Sequence, residues 1–539
     1  MISAAGEQSG PVRKGGAVPE FHDPAPMNRR TPGTEITVEP DDPRYPDLVV
    51  GHNPRFTGKP ERIHIASSAE DVVHAVADAV RTGRRVGVRS GGHCFENLVA
   101  DPAIRVLVDL SELNRVYYDS TRGAFAIEAG AALGQVYRTL FKNWGVTIPT
   151  GACPGVGAGG HILGGGYGPL SRRFGSVVDY LQGVEVVVVD QAGEVHIVEA
   201  DRNSTGAGHD LWWAHTGGGG GNFGIVTRFW LRTPDVVSTD AAELLPRPPA
   251  TVLLRSFHWP WHELTEQSFA VLLQNFGNWY EQHSAPESTQ LGLFSTLVCA
   301  HRQAGYVTLN VHLDGTDPNA ERTLAEHLSA INAQVGVTPA EGLRETLPWL
   351  RSTQVAGAIA EGGEPGMQRT KVKAAYLRTG LSEAQLATVY RRLTVYGYDN
   401  PAAALLLLGY GGMANAVAPS ATALAQRDSV LKALFVTNWS EPAEDERHLT
   451  WIRGFYREMY AETGGVPVPG TRVDGSYINY PDTDLADPLW NTSGVAWHDL
   501  YYKDNYPRLQ RAKARWDPQN IFQHGLSIKP PARLSPGQP

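Results

Sequence analysis

From about Pro43 onward, short apolar runs alternate with turns, and helical periodicities fall between them. Residues 62–66 (RIHIA), 85–89 (RVGVR), 106–110, 124–128, 184–189 and 225–230 each have the length and apolar character of a strand. Residues 68–82 place Val72, Val73, Ala75, Val76 and Val80 at helical spacing. Ser68 stands where an N-cap belongs, with Asp71 three residues on. Between about 242 and 470 the texture changes. Amphipathic helical patterns at 268–279, 318–331 and 382–396 alternate with strands such as 306–312 (YVTLNVH). The pattern predicts an α+β protein with short strands, glycine-rich connections and an inserted second domain. The first thirty residues are rich in Gly, Pro and charge and contain no apolar h-region, so a mobile leader and no secretory signal are expected. The Pro-rich end reads as a disordered tail.

At 539 residues the chain is long for a single core. A charged share of 19% and a hydrophobic share of 42% fit an ordinary globular protein. The net charge of −9 argues against nucleic acid or an anionic membrane as a general partner. No apolar run reaches membrane-spanning length. The three cysteines, Cys94, Cys153 and Cys299, do not read as a disulfide framework and favour a cytoplasmic setting. The histidines are scattered, so no metal site is expected.

Three glycine clusters need a reason, because glycine costs backbone entropy on folding. Arg89-Ser90-Gly91-Gly92-His93 follows a strand directly, and a tight Gly-Gly turn can cradle an anion with its N–H groups. His93 could be a base, a ligand, an attachment point or simply a turn histidine. The second cluster embeds Cys153 among backbone donors, which favour a thiolate. It runs through Gly157, Gly160 and His161 to Gly166 and Tyr167. The third is Gly217 to Gly224, including Gly221 and Asn222, anchored by the strand that opens at Ile225 and Val226. A fourth segment, Tyr477-Ile478-Asn479-Tyr480-Pro481-Asp482, carries two tyrosines. A tyrosine serves as a base only if cations stabilise the phenolate, and Lys371, Lys373 and Arg378 are candidates. Read alone, the segment is better explained as an aromatic packing strip.

Gly155, Gly157 and Gly160 also match G-x-G-x-x-G, with Asp179 at roughly the separation of a ribose-binding acid. A dinucleotide fingerprint needs a strand before it and a helix opening within it. A proline precedes the first glycine and the following residues are too glycine-rich for a good helix, so a nicotinamide dehydrogenase is the weaker reading.

Together the four motifs, in this order, resemble the berberine-bridge-enzyme-like branch of the PCMH-type FAD-linked oxidases in the vanillyl-alcohol-oxidase superfamily. The resemblance covers about residues 43–528. It includes a closing run from Tyr501 to Leu509 and from Trp516 to Phe522, and it is nearest to bacterial hexose and glycopeptide-antibiotic tailoring oxidases. It implies an FAD-binding domain of two subdomains (41–238), behind a flexible leader (1–40). It further implies an α+β substrate domain with an antiparallel sheet (239–472), a C-terminal segment returning to the FAD domain (473–530) and a disordered tail (531–539). By the same resemblance FAD is bicovalently held, 8α-histidyl on His93 and 6-S-cysteinyl on Cys153. Tyr480 is the catalytic base, assisted by Tyr477, and Tyr167 lies near the flavin ring. Cys94, next to the attachment histidine, is in the wrong motif for the second link and is assigned a packing role. Gln426 stands where relatives often carry histidine.

The activity so implied is removal of a proton by Tyr480 from an alcohol of a sugar or glycosylated natural product, with hydride passing to FAD and electrons to dioxygen. Hydrogen peroxide is released, and an aldehyde product could hydrate and pass through again to a carboxylic acid, so that two- and four-electron oxidation both stay open. A flavin-dependent oxidative cyclase or dehydrogenase and a catalytically silent carbohydrate-binding protein are the competing readings.

Overall fold

In the computed structural model, which describes residues 36–361 and 368–531, the short apolar runs assemble into three separate sheets. The first contains β1 (Ile36–Val38), β2 (Arg62–Ile65), β3 (Val86–Arg89) and β4 (Val106–Asp109) in the order β1-β2-β4-β3. Strands β2, β4 and β3 are parallel and β1 is antiparallel. The connection from β2 to β3 is the helix Ala69–Arg81. Ser68 caps it, accepting from the Asp71 amide at 3.1 Å while Asp71 accepts in return from the Ser68 amide. Its Val72, Ala75, Val76 and Ala79 are buried, as their spacing requires. Residues 36–38, placed by the sequence reading in a flexible leader, instead complete the edge of this sheet by pairing with β2. The rest of that leader, 1–35, and the tail from 532 lie outside the described residues.

The second sheet is antiparallel, in the order β5-β6-β9-β7-β8. It is built from β5 (Val116–Asp119), β6 (Ala124–Glu128), β7 (Leu181–Val189), β8 (Val195–Asp201) and β9 (Ile225–Leu231).

The third is a seven-stranded antiparallel sheet, in the order β13-β10-β12-β11-β15-β16-β14. Its strands are β10 (Thr251–Pro260), β11 (Leu293–Ala300), β12 (Tyr306–Asp314), β13 (Ala340–Pro348), β14 (Arg369–Leu377), β15 (Ala403–Gly409) and β16 (Leu431–Trp439). Period-two alternation gives it two unlike faces. Leu293, Leu297, Leu309, Leu405, Leu407 and Phe435 are buried in the main core with Phe269, Phe276, Val389 and Phe455 of the covering helices. Each such side chain contributes about 1.5–3 kcal/mol. Phe294, Thr296, Val298, Asn310, Leu406 and Leu408, on the alternate face, are only half-buried and line a cavity.

The chain end closes the assembly. Helix Tyr506–Trp516, with Pro507 in its first turn, carries the buried Lys513. Lys513 donates to the carbonyls of Asn222 and Phe522 and pairs with Asp517, so the C-terminal segment is bonded to the third glycine cluster. Among the described residues no helix is long and apolar enough to cross a membrane, and no group of three or more His, Cys, Asp or Glu could hold a metal ion.

Candidate active site

One cavity of about 650 Å³ gathers the four sequence motifs. The first lines it from Arg89 to His93, and the second through Cys153, Gly157, Gly160, His161 and Tyr167. Gly221, Asn222, Ile225 and Val226 come from the third, and Tyr477 and Tyr480 from the fourth. Gly166 does not line it; that glycine makes room for the His161 ring, whose Nε2 would lie 2.2 Å from a Cβ there.

The first two glycine turns meet backbone to backbone. Ser90 donates to the Ala129 carbonyl at 2.6 Å. A Cβ on Gly157 would stand 2.1 Å from Ser90 Oγ, a separation no packed atom tolerates. This contact brings His93 and Cys153 to the same cavity across sixty residues of chain. Arg89 anchors its turn from below, paired with Asp109 and donating to the Leu48 carbonyl. His93 stacks on His52 with ring centroids 4.3 Å apart. Burial, and the neighbouring His52, hold the His93 imidazole down to about 4, so it is neutral at physiological pH. Cys94, its neighbour, donates to the Glu96 carbonyl, and burial pushes its thiol up to about 11, in keeping with a packing role.

The tyrosines form a cage around a lysine that sequence reasoning passed over. Lys432 of β16 is buried, with its Nζ 3.2 Å from the ring centre of Tyr167 and 3.6 Å from that of Tyr477. Tyr376 and Tyr410 complete the cage, and Nζ has no hydrogen-bond partner among the described residues. Burial pushes its pKa well below the ordinary lysine value. Tyr480 sits against this cage, its ring 5.1 Å from that of Tyr477. Burial raises the Tyr480 phenol to about 12, with the Tyr167 hydroxyl pulling the other way and Cys153 adding to the rise. Asn479 laces the segment to the second motif, donating to the His161 carbonyl at 2.9 Å and to the Tyr477 hydroxyl at 3.0 Å.

The cations named from sequence lie elsewhere. Lys371 pairs with Glu96 and with Asp482 at 2.8 Å, and Lys373 pairs with Asp482 at 2.6 Å and Asp484 at 2.8 Å. Arg378 is bound to Asp428 and Asp474. Alternation explains the error: β14 presents Lys371 and Lys373 to the carboxylates that follow Tyr480, while the lysine that reaches the tyrosines comes from β16. This cluster ties the His93 turn, the sheet and the Tyr480 segment together.

The dinucleotide reading fails on its neighbours. The residues before Gly155 form no strand. A six-residue helix, Ala158–Leu163, does open there, contrary to the expectation from glycine content, with its amides bonded to the Ala129 and Ala131 carbonyls. Asp179 is engaged by Arg427 at 2.7 Å and by the Ser176 amide, so it is not offered to a ribose. Gln426 donates to the Tyr501 carbonyl, a structural bond inside the core. Unforeseen along with Lys432, which does not itself line the cavity, are two residues that do, His52 and His524. His524 reaches the Gly220 carbonyl at 3.1 Å from the returning C-terminus. A lysine set among the apolar residues that open β16 was the one legible signal among them.

Walls of glycine backbone, with an imidazole and a thiol on one cavity, fit a large flat ligand with an anionic tail. Residues 60–199 match the family described as FAD binding domain, and residues 476–529 that described as berberine and berberine like. The aclacinomycin-N/aclacinomycin-A oxidase of Streptomyces galilaeus is 49% identical over 520 residues, covering 96% of this chain and 93% of that one. The crystal structure of CrmK, a flavoenzyme of shunt product recycling in caerulomycin biosynthesis, superposes with a TM-score of 0.89 at 50% identity, covering 92% of this chain and 99% of that one. That of the glycopeptide hexose oxidase DBV29 with teicoplanin has a TM-score of 0.88 at 48% identity, covering 93% and 100%.

Proposed function

The chain belongs to the FAD-linked, berberine-bridge-enzyme-like oxidoreductases, and from that premise we propose that it oxidises an alcohol carbon of a sugar on a glycosylated natural product, with dioxygen as the final acceptor. The observation that carries the reading is the meeting of His93, Cys153 and Tyr480 on one cavity. Bound FAD supplies the hydride acceptor and the route by which dioxygen becomes hydrogen peroxide.

The protein's part is attachment, orientation and proton transfer. His93 and Cys153 hold the cofactor, as the 8α-histidyl and 6-S-cysteinyl links. The neutral state of His93 leaves a ring nitrogen available for its bond. Tyr480 takes the hydroxyl proton of the substrate. The Lys432 amine lies over the faces of Tyr167 and Tyr477, and its protonation together with ionisation of Tyr480 offsets the phenolate as it forms. The desolvated cage makes that help stronger than it would be in water. A cytoplasmic setting accompanies the reading, since no disulfide joins the three cysteines.

Acid-precipitated, filtered protein should remain yellow, and the enzyme should release peroxide with sugar-decorated natural products. A colourless pellet removes the covalent links; a yellow protein that no glycoside reduces removes the oxidase reading. A glycosylated rather than a simple alcohol is supported by the similar glycopeptide hexose oxidase DBV29, whose structure holds teicoplanin.

A further inference from the structure

The edge strand β14 carries Lys371 and Lys373 into a buried cluster of cations and carboxylates. The side chains of Lys371, Lys373, Glu96, Asp482 and Asp484 are no more than 5% exposed, and Arg453 closes the cluster from the helix Asp445–Met459. Asp482 is held from several sides. Its Oδ1 accepts from Lys371 at 2.8 Å and from the Asp484 amide at 3.2 Å, and its Oδ2 accepts from Lys373 at 2.6 Å. Its amide donates to the Tyr501 hydroxyl at 3.0 Å. Burying so many charges is a poor route to stability, since well-packed apolar side chains of similar volume commonly do as well or better. What charged hydrogen bonds add is a fixed distance and direction.

Lys371 has a distinct place in the cluster. Among the described residues it is the one of the three cations that also pairs with Glu96. One ammonium therefore joins a carboxylate three residues beyond His93 to another two residues beyond Tyr480. A second set of bonds holds the first of those segments to the same strand. Asn53, buried, donates to the Phe95 carbonyl at 2.9 Å and to the Thr370 carbonyl at 3.0 Å, and accepts from the Thr370 amide at 3.2 Å. Rings connect the two segments as well. Phe95 meets Tyr480 with centroids 5.9 Å apart, and it also meets His52, which stacks on His93. A movement of residues 93–96 is thus passed to Tyr480 through Phe95, and the Glu96–Lys371–Asp482 bridge opposes it.

We propose that Lys371, bridging Glu96 and Asp482, is a positioning residue that sets how far Tyr480 stands from the cofactor carried on His93. The inference rests on the oxidase reading above. Thr370 and Val372 of the same strand line the cavity, whereas Lys371 and Glu96 do not, so the bridge acts on the reaction through distance alone.

Length and charge can be separated at Glu96. Glu96→Asp keeps the charge and shortens the bridge by one C–C bond, about 1.5 Å. Glu96→Gln keeps the length and an oxygen for Lys371. Thr483, whose hydroxyl donates to the second Glu96 oxygen at 3.4 Å, can accept from the amide instead. Flavin-loaded enzyme is followed by peroxide release from 4-nitrophenyl β-D-glucopyranoside. A misplacement of about 1 Å costs on the order of a hundredfold in rate, so Glu96→Asp should lower kcat about ten- to a hundredfold and leave KM little altered. Glu96→Gln should keep kcat close to that of the parent. It should lower the melting temperature further than Glu96→Asp does, because it leaves Lys371 short of a carboxylate. A role in stability alone gives the opposite order, with Glu96→Gln the slower enzyme, and overturns the proposal; so does a Glu96→Asp kcat equal to the parent's. Peroxide absent even from the parent counts against the oxidase reading alone. The share of the His93 tryptic peptide that carries flavin in purified protein, which reads the placement of that turn, then decides. A clearly lower share in Glu96→Asp than in Glu96→Gln supports the bridge, and equal shares overturn it.

Discussion

Gly91 and Gly157 approach so closely that a Cβ on Gly91 would stand 2.3 Å from the Gly157 amide nitrogen. Both partners are main chain, so neither can rotate away as a flexible side chain could. This one contact brings the turn that ends in His93 against the loop that carries Cys153. Gly91→Ala should therefore separate the two attachment residues. The expected outcome is protein with a lowered melting temperature and little bound flavin, read from absorbance in the visible. Full flavin content at unchanged stability would mean the loops find another route to the cavity.

The two proposed links should be separable. His93→Ala and Cys153→Ala should each keep a covalent flavin through the remaining link, and the double variant should lose its colour on acid precipitation. Mass spectrometry of tryptic peptides reads this directly. A single variant that releases all its flavin would reduce the attachment to one residue.

Tyr480→Phe removes one oxygen from a half-buried ring and leaves the shape of the site unchanged. Loss of a positioned general base costs about 10²–10⁴ in rate. The variant should hold its flavin and lose alcohol oxidation on that scale in kcat, with KM little altered. Turnover within a few fold of the parent would pass the role to another group.

Local elements were legible because their signals are local. The Ser68–Asp71 cap, the apolar spacing of 69–81 and the alternation of β12 follow from neighbours within a turn or two. The four site motifs were legible for a related reason, since a glycine cluster or a tyrosine pair declares itself in a few consecutive residues. What the chain order hides is partnership. Lys371, Lys373 and Lys432 all sit on strands of one sheet, and only register and pairing decide which face the carboxylates and which the tyrosines. His52 is hidden for the same reason: it reaches His93 because its amide bonds the Gly92 carbonyl at 2.9 Å, an interaction between two loops. Ile36–Val38 forms a strand only because β2 offers an edge.

Buried histidines set the response to acid. Burial holds His93, His215, His312 and His524 down to about 4, and His161 and His327 to about 3. The unfolded chain takes up these protons near the ordinary imidazole value of about 6.5. A depressed folded value means the unfolded state binds more protons between the two. Stability contributed this way is complete above about pH 6.5 and lost as pH falls toward 4, on the order of 2 kcal/mol for each fully buried ring. Thermal unfolding should show a melting temperature that declines steadily across that window. A flat profile from pH 7 to 4 would show that these rings protonate without cost.

Lys432 allows the last and most specific test, because its effect acts through other residues. Nζ lies over the faces of Tyr167 and Tyr477, and both tyrosines adjoin Tyr480. Burial alone raises the phenol and lowers the ammonium, each disfavouring its charged form. Charging both together is less costly, since a cation in the cage offsets the phenolate beside it. Lys432→Met keeps the volume and removes the cation. Proton removal by Tyr480 then has only neutral hydroxyls to help it. The acid limb of kcat/KM against pH should move to higher pH, and kcat at pH 7 should fall about ten- to a hundredfold. Flavin content should be unchanged. Lys432→Arg, which restores the charge but not the compact ammonium, should recover only part of the shift. A profile of Lys432→Met that overlies the parent would leave the cage as packing alone and return Tyr480 to an unassisted base.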